Sequence, residues 1–370
     1  MTAADAVLAD LRALVEAESP TDRPELVDAA MDVAAARLGP LGFAIRRIPG
    51  RDGFGGHLDA TAPWGGPGPG VLVLSHLDTV HPVGAFGAQA FRIDGDFTIG
   101  PGALDMKGGV AILLQALREI AAAEATSPLP LRLLITSDEE VGSPTSRALI
   151  EAAAREAAYV LVTEPARAGG ELVTGRRGVG RYVVEARGRP AHSGLAPQDG
   201  RSAIREIARR ILEIEAMTDP ARAINLNVGQ VWGGVGANTV PEHAGALVDL
   251  RIDDPADAEA LDARIKGLRS DDPDVTLTVS GGINRPPFRK TAEIAALFER
   301  ARAIAAEIGF DLQDAHTGGG GDASFVAAIA PVLDGLGVEG AGAHTLEERV
   351  RIDAIPRRTA LLRRLVETLA

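Results

Sequence analysis

Four short runs, Val71–Leu74, Leu131–Thr136, Tyr159–Thr163 and Pro331–Leu336, are apolar on both faces and are separated by segments of helical periodicity. A strand without a polar face must be covered on both sides, and a largely parallel sheet between helices meets that requirement. Apolar residues return every three or four positions over 5–15 and 25–38, and helices are also expected over 110–120 and 291–308. The expected fold class is therefore α/β, a mostly parallel sheet flanked by helices. His76, Glu139, Glu140 and Glu164 lie just past the ends of these runs. Open α/β sheets bind ligands outside the carboxyl ends of their strands, so the four groups point to one shared site.

A chain of 370 residues is too long for one ordinary core. Between about Gly178 and Gly282 the rhythm changes to strand 180–186, helix 202–217, strands 224–231 and 244–252, helix 255–268 and strand 275–280. That order is β-α-β-β-α-β, the ferredoxin-like split βαβ arrangement. The expected domains are residues 1–176 and 288–370 as two parts of one domain, with 177–287 inserted between them.

Cysteine is absent, so any metal must be held by nitrogen and oxygen, and thiolate chemistry is excluded. The formal net charge of −13 argues against nucleic acid and anionic membrane as partners. No window approaches eighteen uninterrupted apolar residues. Asp5, Asp10, Arg12, Glu16 and Glu18 interrupt what a signal peptide would need, and the expected location is the cytoplasm.

Each polar cluster has a plain structural reading and a chemical one. His76-x-Asp78 puts two side chains on one side of an extended segment, where a carboxylate can accept the second imidazole N–H and fix the tautomer of a metal ligand. Asp105 precedes the helix over 110–120; it can cap that helix or bridge two cations. Glu139 and Glu140 repel each other unless a cation or shared proton offsets the cost, which suits one metal ligand beside one base. Glu164-Pro165 adds a carboxylate where proline stops the strand, and His344 lies in a glycine-rich turn. His57, His81 and His243 read as ordinary, and His316, beside the glycine run, stays ambiguous. The run Gly318–Gly321 lacks the Lys-Ser/Thr ending of a phosphate loop; backbone N–H groups at Gly319 and Gly320 facing a substrate carboxylate are the preferred use.

Together these stretches resemble the dinuclear zinc peptidase family that includes glutamate carboxypeptidase, acetylornithine deacetylase and succinyl-diaminopimelate desuccinylase. The similarity runs nearly end to end, and its most specific parts are Ser75–Val80, Leu104–Gly109 and Ser137–Ser143. The C-terminal stretch from Thr317 through Asp322 and His344 to Arg358 is most similar to the glutamate carboxypeptidase branch. The resemblance implies two Zn2+ ions, with Co2+ or Mn2+ also acceptable to such ligands. It implies that His76 and Glu164 bind one, Glu140 and His344 the other, that Asp105 bridges them, and that Asp78 orients His76. Glu139 is implied as the general acid/base, and the peptide bond after Asp105 as cis. The inserted domain is implied as a lid and homodimerisation surface whose His192 reaches the partner's active site to stabilise an oxyanion. Asn238 and Arg285 match positions that hold a substrate carboxylate. Two departures stand out: Gly321 replaces a frequent threonine, and His81 stands where relatives often have proline.

The resulting expectation is a homodimeric two-zinc amidohydrolase, a metallopeptidase that releases a glutamate-like C-terminal amino acid from a small peptide or N-acyl amino acid. Its rivals are an N-acyl amino acid deacylase of the acetylornithine deacetylase type and a non-catalytic metal- or peptide-binding protein on the same scaffold.

Overall fold

The computed structural model describes residues 3–123 and 127–370. It separates into two compact units: Met1–Thr174 with Lys290–His316 and Gly321–Ala370, within the described residues, and Gly175–Arg289 with Thr317–Gly320.

The first unit is built on a six-stranded sheet ordered Ala44–Ile48, His57–Thr61, Leu131–Thr136, Gly70–His76, Ala157–Val162 and Val332–Leu333. The last four are mutually parallel. Every residue of Gly70–His76 is buried, as a strand covered on both faces must be. Helices Ala3–Glu16, Pro24–Leu38, Gly108–Ala122, Ala292–Ile308 and Ile355–Thr368 contribute side chains to a single core with these strands. Thr291 caps its helix by accepting the Ile294 N–H, which is why that helix starts where its sequence expects it.

Two antiparallel strands at one edge show no apolar run in the sequence. Ala44–Ile48 carries Arg46 and Arg47 and is half exposed, while His57–Thr61 buries Asp59. Burial alone would raise the Asp59 pKa, but hydrogen bonds from Arg132 and Arg46 hold it below its ordinary value. The run expected over 331–336 keeps only Val332–Leu333 in the sheet, because Asp334 turns away to exchange backbone hydrogen bonds with Val173.

Arg358 is fully buried and donates to three backbone carbonyls, those of Gly337 (2.8 Å), Gly170 (3.0 Å) and Gly335. Burial pulls its pKa down to about 10. Replacing this fork by Met leaves three carbonyls without their donor, so Arg358→Met should lower the unfolding free energy by roughly 2–4 kcal/mol in urea titrations. Arg358→Lys should recover little of that, since one ammonium lacks the planar fork. An unchanged midpoint for both variants would show that the guanidinium bonds add nothing.

The second unit is a four-stranded antiparallel sheet ordered Asn225–Gly233, His243–Ile252, Gly178–Arg187 and Thr276–Arg285. Its two helices, Ala203–Glu215 and Pro255–Lys266, complete the β-α-β-β-α-β order. Burial alternates along Gly178–Arg187, with Tyr182, Val184 and Ala186 in the core, as expected for a sheet with one covered face. Ser202 and Asp254 cap the two helices through the N–H groups of Arg205, Ala256 and Asp257. Among the described residues, no helix is long and apolar enough to cross a membrane.

Candidate metal centre

Parallel register sets three strand ends of the first unit side by side. His76 pairs with Thr136, and Leu74, two residues earlier, pairs with Val162. His76 ends its strand, the short turn Glu139–Val141 follows Thr136, and Glu164 follows Val162. Asp105 comes from the loop before helix Gly108–Ala122, and the Asp105–Met106 peptide is cis, as expected. A Cβ at Gly109 would collide with the Thr163 carbonyl oxygen, so the helix start reaches the Glu164 strand only because that residue is glycine. His344 sits in the left-handed region at φ 64°, just after Gly342 at φ 81°. A histidine tolerates that conformation better than most residues, but the surrounding turn must hold it there.

Two clusters of ligand-type atoms form, His76 with Asp105 and Glu164, and Asp105 with Glu140 and His344. His76 Nε2 lies 3.4 Å from Asp105 Oδ1 and 3.6 Å from Glu164 Oε1. His344 Nε2 lies 3.3 Å from Asp105 Oδ2 and 3.2 Å from Glu140 Oε2. Asp105 thus turns a different oxygen to each histidine. These separations exceed the ~2.7–2.9 Å of a charge-assisted hydrogen bond. At 3.2–3.6 Å they bracket instead the roughly 3.3–3.4 Å between ligand atoms around a tetrahedral ion bound at about 2.0–2.1 Å. His76 Nε2 and Glu140 Oε1 are buried without a hydrogen-bond partner, a costly state that a cation relieves. The donor set therefore fits a pair of metal ions.

Charge balance leads to the same conclusion. Burial would lower the pKa of His76, yet Asp105, Asp78 and Glu164 raise it well above its ordinary value. The Asp105 and Glu140 carboxylates beside its Nε2 push the His344 pKa up to about 11. Burial would raise the pKa of Asp105, but His344 and His76 drive it far down, whereas for Glu140 burial outweighs His344 and the pKa rises. The pocket demands positive charge, from protons on imidazole or from cations.

The support beneath these ligands differs from expectation in one detail. His76 Nδ1 lies 3.0 Å from the backbone carbonyl of Asp78 and 3.3 Å from its carboxylate. The carboxylate is engaged elsewhere: Oδ1 accepts the Glu139 N–H, and Oδ2 accepts the Glu140 N–H and the Thr21 hydroxyl. Asp78 therefore fixes both the imidazole and the Glu139–Glu140 turn. Glu139 is half-buried and belongs to neither ligand cluster. Behind the turn, buried Asp138 accepts from the backbone and hydroxyl of Thr145 and of Ser146. His57 bonds Ser137 and Thr145 there, its pKa pulled down by burial. Thr21 carried no signal in the sequence, because it acts through a contact 57 residues away; Asp138 lies in the Ser137–Ser143 motif but was given no role of its own there.

The other residues singled out in the sequence lie in the second unit. His192 is exposed, and its Nδ1 accepts the N–H groups of Gly194 and Leu195, both at 3.1 Å. A neutral ring so held carries its proton on Nε2, which becomes a donor. The Asn238 carbonyl accepts the Ser193 N–H, bringing Asn238 beside His192. Arg285 is 5% exposed, and a Cβ at Gly320 would lie 2.7 Å from its Cδ. The carbonyls of Gly319 and Gly320 accept from Arg176 Nη1, so this residue, missed in the sequence, ties the glycine run to the second unit.

The sequence profile of Peptidase family M20/M25/M40 matches residues 72–368. A carboxypeptidase G2 from a Pseudomonas species is 33% identical over 369 residues, covering 98% of this chain and 88% of that protein. A succinyl-diaminopimelate desuccinylase from Sphingopyxis alaskensis is 31% identical over 355 residues, 90% and 91% of the two chains. Among solved structures, the aminopeptidase PepT from Bacillus cereus superposes with a TM-score of 0.78 at 23% identity, over 98% of each chain. A metallo-carboxypeptidase from Sulfolobus solfataricus superposes with a TM-score of 0.74 at 18% identity, again over 98% of each.

Proposed function

This chain belongs to peptidase family M20/M25/M40 and is a metallopeptidase, and from that premise we propose that it uses two zinc ions to release a glutamate-like C-terminal amino acid from a peptidyl or N-acyl precursor. The observation that carries the reading is Asp105, which presents one oxygen to the His76–Glu164 side and the other to the Glu140–His344 side. In this reading His76 and Glu164 hold one ion, Glu140 and His344 the other, and Asp105 both. When bound, such a pair polarises the scissile carbonyl and makes water a stronger acid.

The protein's own groups do the rest. Glu139 takes a proton from the attacking water and delivers it to the nitrogen of the leaving amine. Asp78 holds the Glu139 backbone at 3.2 Å, so the base sits on a fixed turn. His192 offers its Nε2–H to the developing oxyanion, and Arg285 with Asn238 and the Gly319–Gly320 backbone receives the substrate carboxylate. His192 acts across a homodimer. That part is supported by the edge strand Asn225–Gly233, which exposes Val231 and Trp232, with Val235 just after it 90% exposed and Leu212 on helix Ala203–Glu215 72% exposed.

His192→Ala should lower kcat with little change in KM, because an oxyanion donor acts in the transition state. A change confined to KM would contradict that role. Similarity to a desuccinylase favours a second reading, removal of an acyl group from an amino acid. Zinc content per chain, measured alongside hydrolysis of dipeptides, acyl-glutamates, acyl-ornithine and succinyl-amino acids, tests both. Two zinc ions with preferred release of glutamate supports the first; a preference for the other acyl-amino acids supports the second; no metal uptake sinks both.

A further inference from the structure

Glu348 is 1% exposed and lies on the hairpin turn that also carries His344, between the paired segments Gly340–Ala341 and Arg349–Arg351. Its Oε1 accepts two consecutive backbone N–H groups, those of Leu104 at 2.8 Å and of Asp105 at 2.9 Å. Its Oε2 bonds His81 Nε2 at 2.7 Å. His81 is itself 5% exposed and meets the Phe86 ring edge-on, with centroids 5.0 Å apart. The Glu348 backbone is also fixed, through its carbonyl to the Gly100 N–H and through its N–H to the Thr345 carbonyl.

We propose that Glu348 is a positioning residue that locks the backbone of Asp105 to the turn bearing His344, and that His81 holds the Glu348 carboxylate in place for that task. Two side chains reach the shared centre from segments far apart in sequence, and a buried carboxylate bonded to both segments sets their separation. Hydrogen-bonded groups behind metal ligands typically contribute 10–100-fold to metal affinity, chiefly by orienting the ligands. His81, which had no role in the sequence, thereby acquires one. The inference rests on the proposed two-metal site.

The test is zinc affinity, measured on purified, metal-stripped protein by competition with a chromophoric chelator. Glu348→Ala should weaken zinc binding by about 10–100-fold. Glu348→Gln keeps an oxygen for the Leu104 and Asp105 N–H groups and should stay close to wild type. His81→Ala should weaken binding less than Glu348→Ala. Folded Glu348→Ala with wild-type affinity would overturn the proposal, and so would Glu348→Gln as weak as Glu348→Ala, since charge rather than the bond to Asp105 would then matter. If Glu348→Ala does not fold, His81→Ala decides: weakened binding supports the proposal and unchanged binding overturns it. Failure of the wild-type protein to take up zinc would be a failure of the site assignment itself.

Discussion

Glu139→Ala is expected to reduce kcat by about 10²–10⁴-fold, the range a positioned general acid/base contributes, while metal uptake stays at the wild-type level. The separation of the two effects follows from geometry. Glu139 follows the Leu131–Thr136 strand on the same turn as Glu140, yet only Glu140 joins a ligand cluster. The Glu139 backbone stays bound to Asp78 whatever its side chain, so the turn keeps its shape in the variant. Turnover assays paired with metal analysis check this. Loss of metal together with activity would make Glu139 a ligand, and retained activity would remove it from the proton path.

Asp105→Ala is expected to abolish binding at both positions at once, with affinity falling by more than the roughly 100-fold typical of losing an outer hydrogen-bond partner. Asp105 is the one residue common to the two clusters. Its removal takes one ligand from each cluster and one negative charge from the pocket, so the attraction for cations falls at both positions. By contrast, His344→Ala touches only one cluster and should spare binding at the other. Titration of metal into stripped protein distinguishes one lost site from two. A variant at position 105 that still binds two ions would exclude a shared carboxylate.

Much of the fold was legible because its signals are local. Gly70–His76 carries the apolar run Val71–Leu74, Leu131–Thr136 is apolar apart from Arg132 and Thr136, and the helices after Thr291 and Ser202 open on capping residues. The strand Ala44–Ile48 was not legible, since Arg46 and Arg47 interrupt it and its pairing partner Asp59 is apparent only in the folded sheet. In the site, His76, Glu140 and Glu164 could be read from their places at strand ends, whereas His344 stood out only through family resemblance. Thr21 and Glu348 were invisible. The first meets Asp78 across 57 residues, and the second meets His81 across 267.

What the sequence determined by itself was the type of the elements with a clear apolar pattern and the chemistry of each donor: periodicity decides helix or strand there, and imidazole and carboxylate decide which ions can be held. Only the tertiary structure decided that Asp105 turns one oxygen to each histidine, that Asp78 is occupied by three donors, and that Glu348 closes onto Asp105. Those relations are distances between segments remote along the chain. Sheet register and burial set them, and no local pattern of residues encodes them.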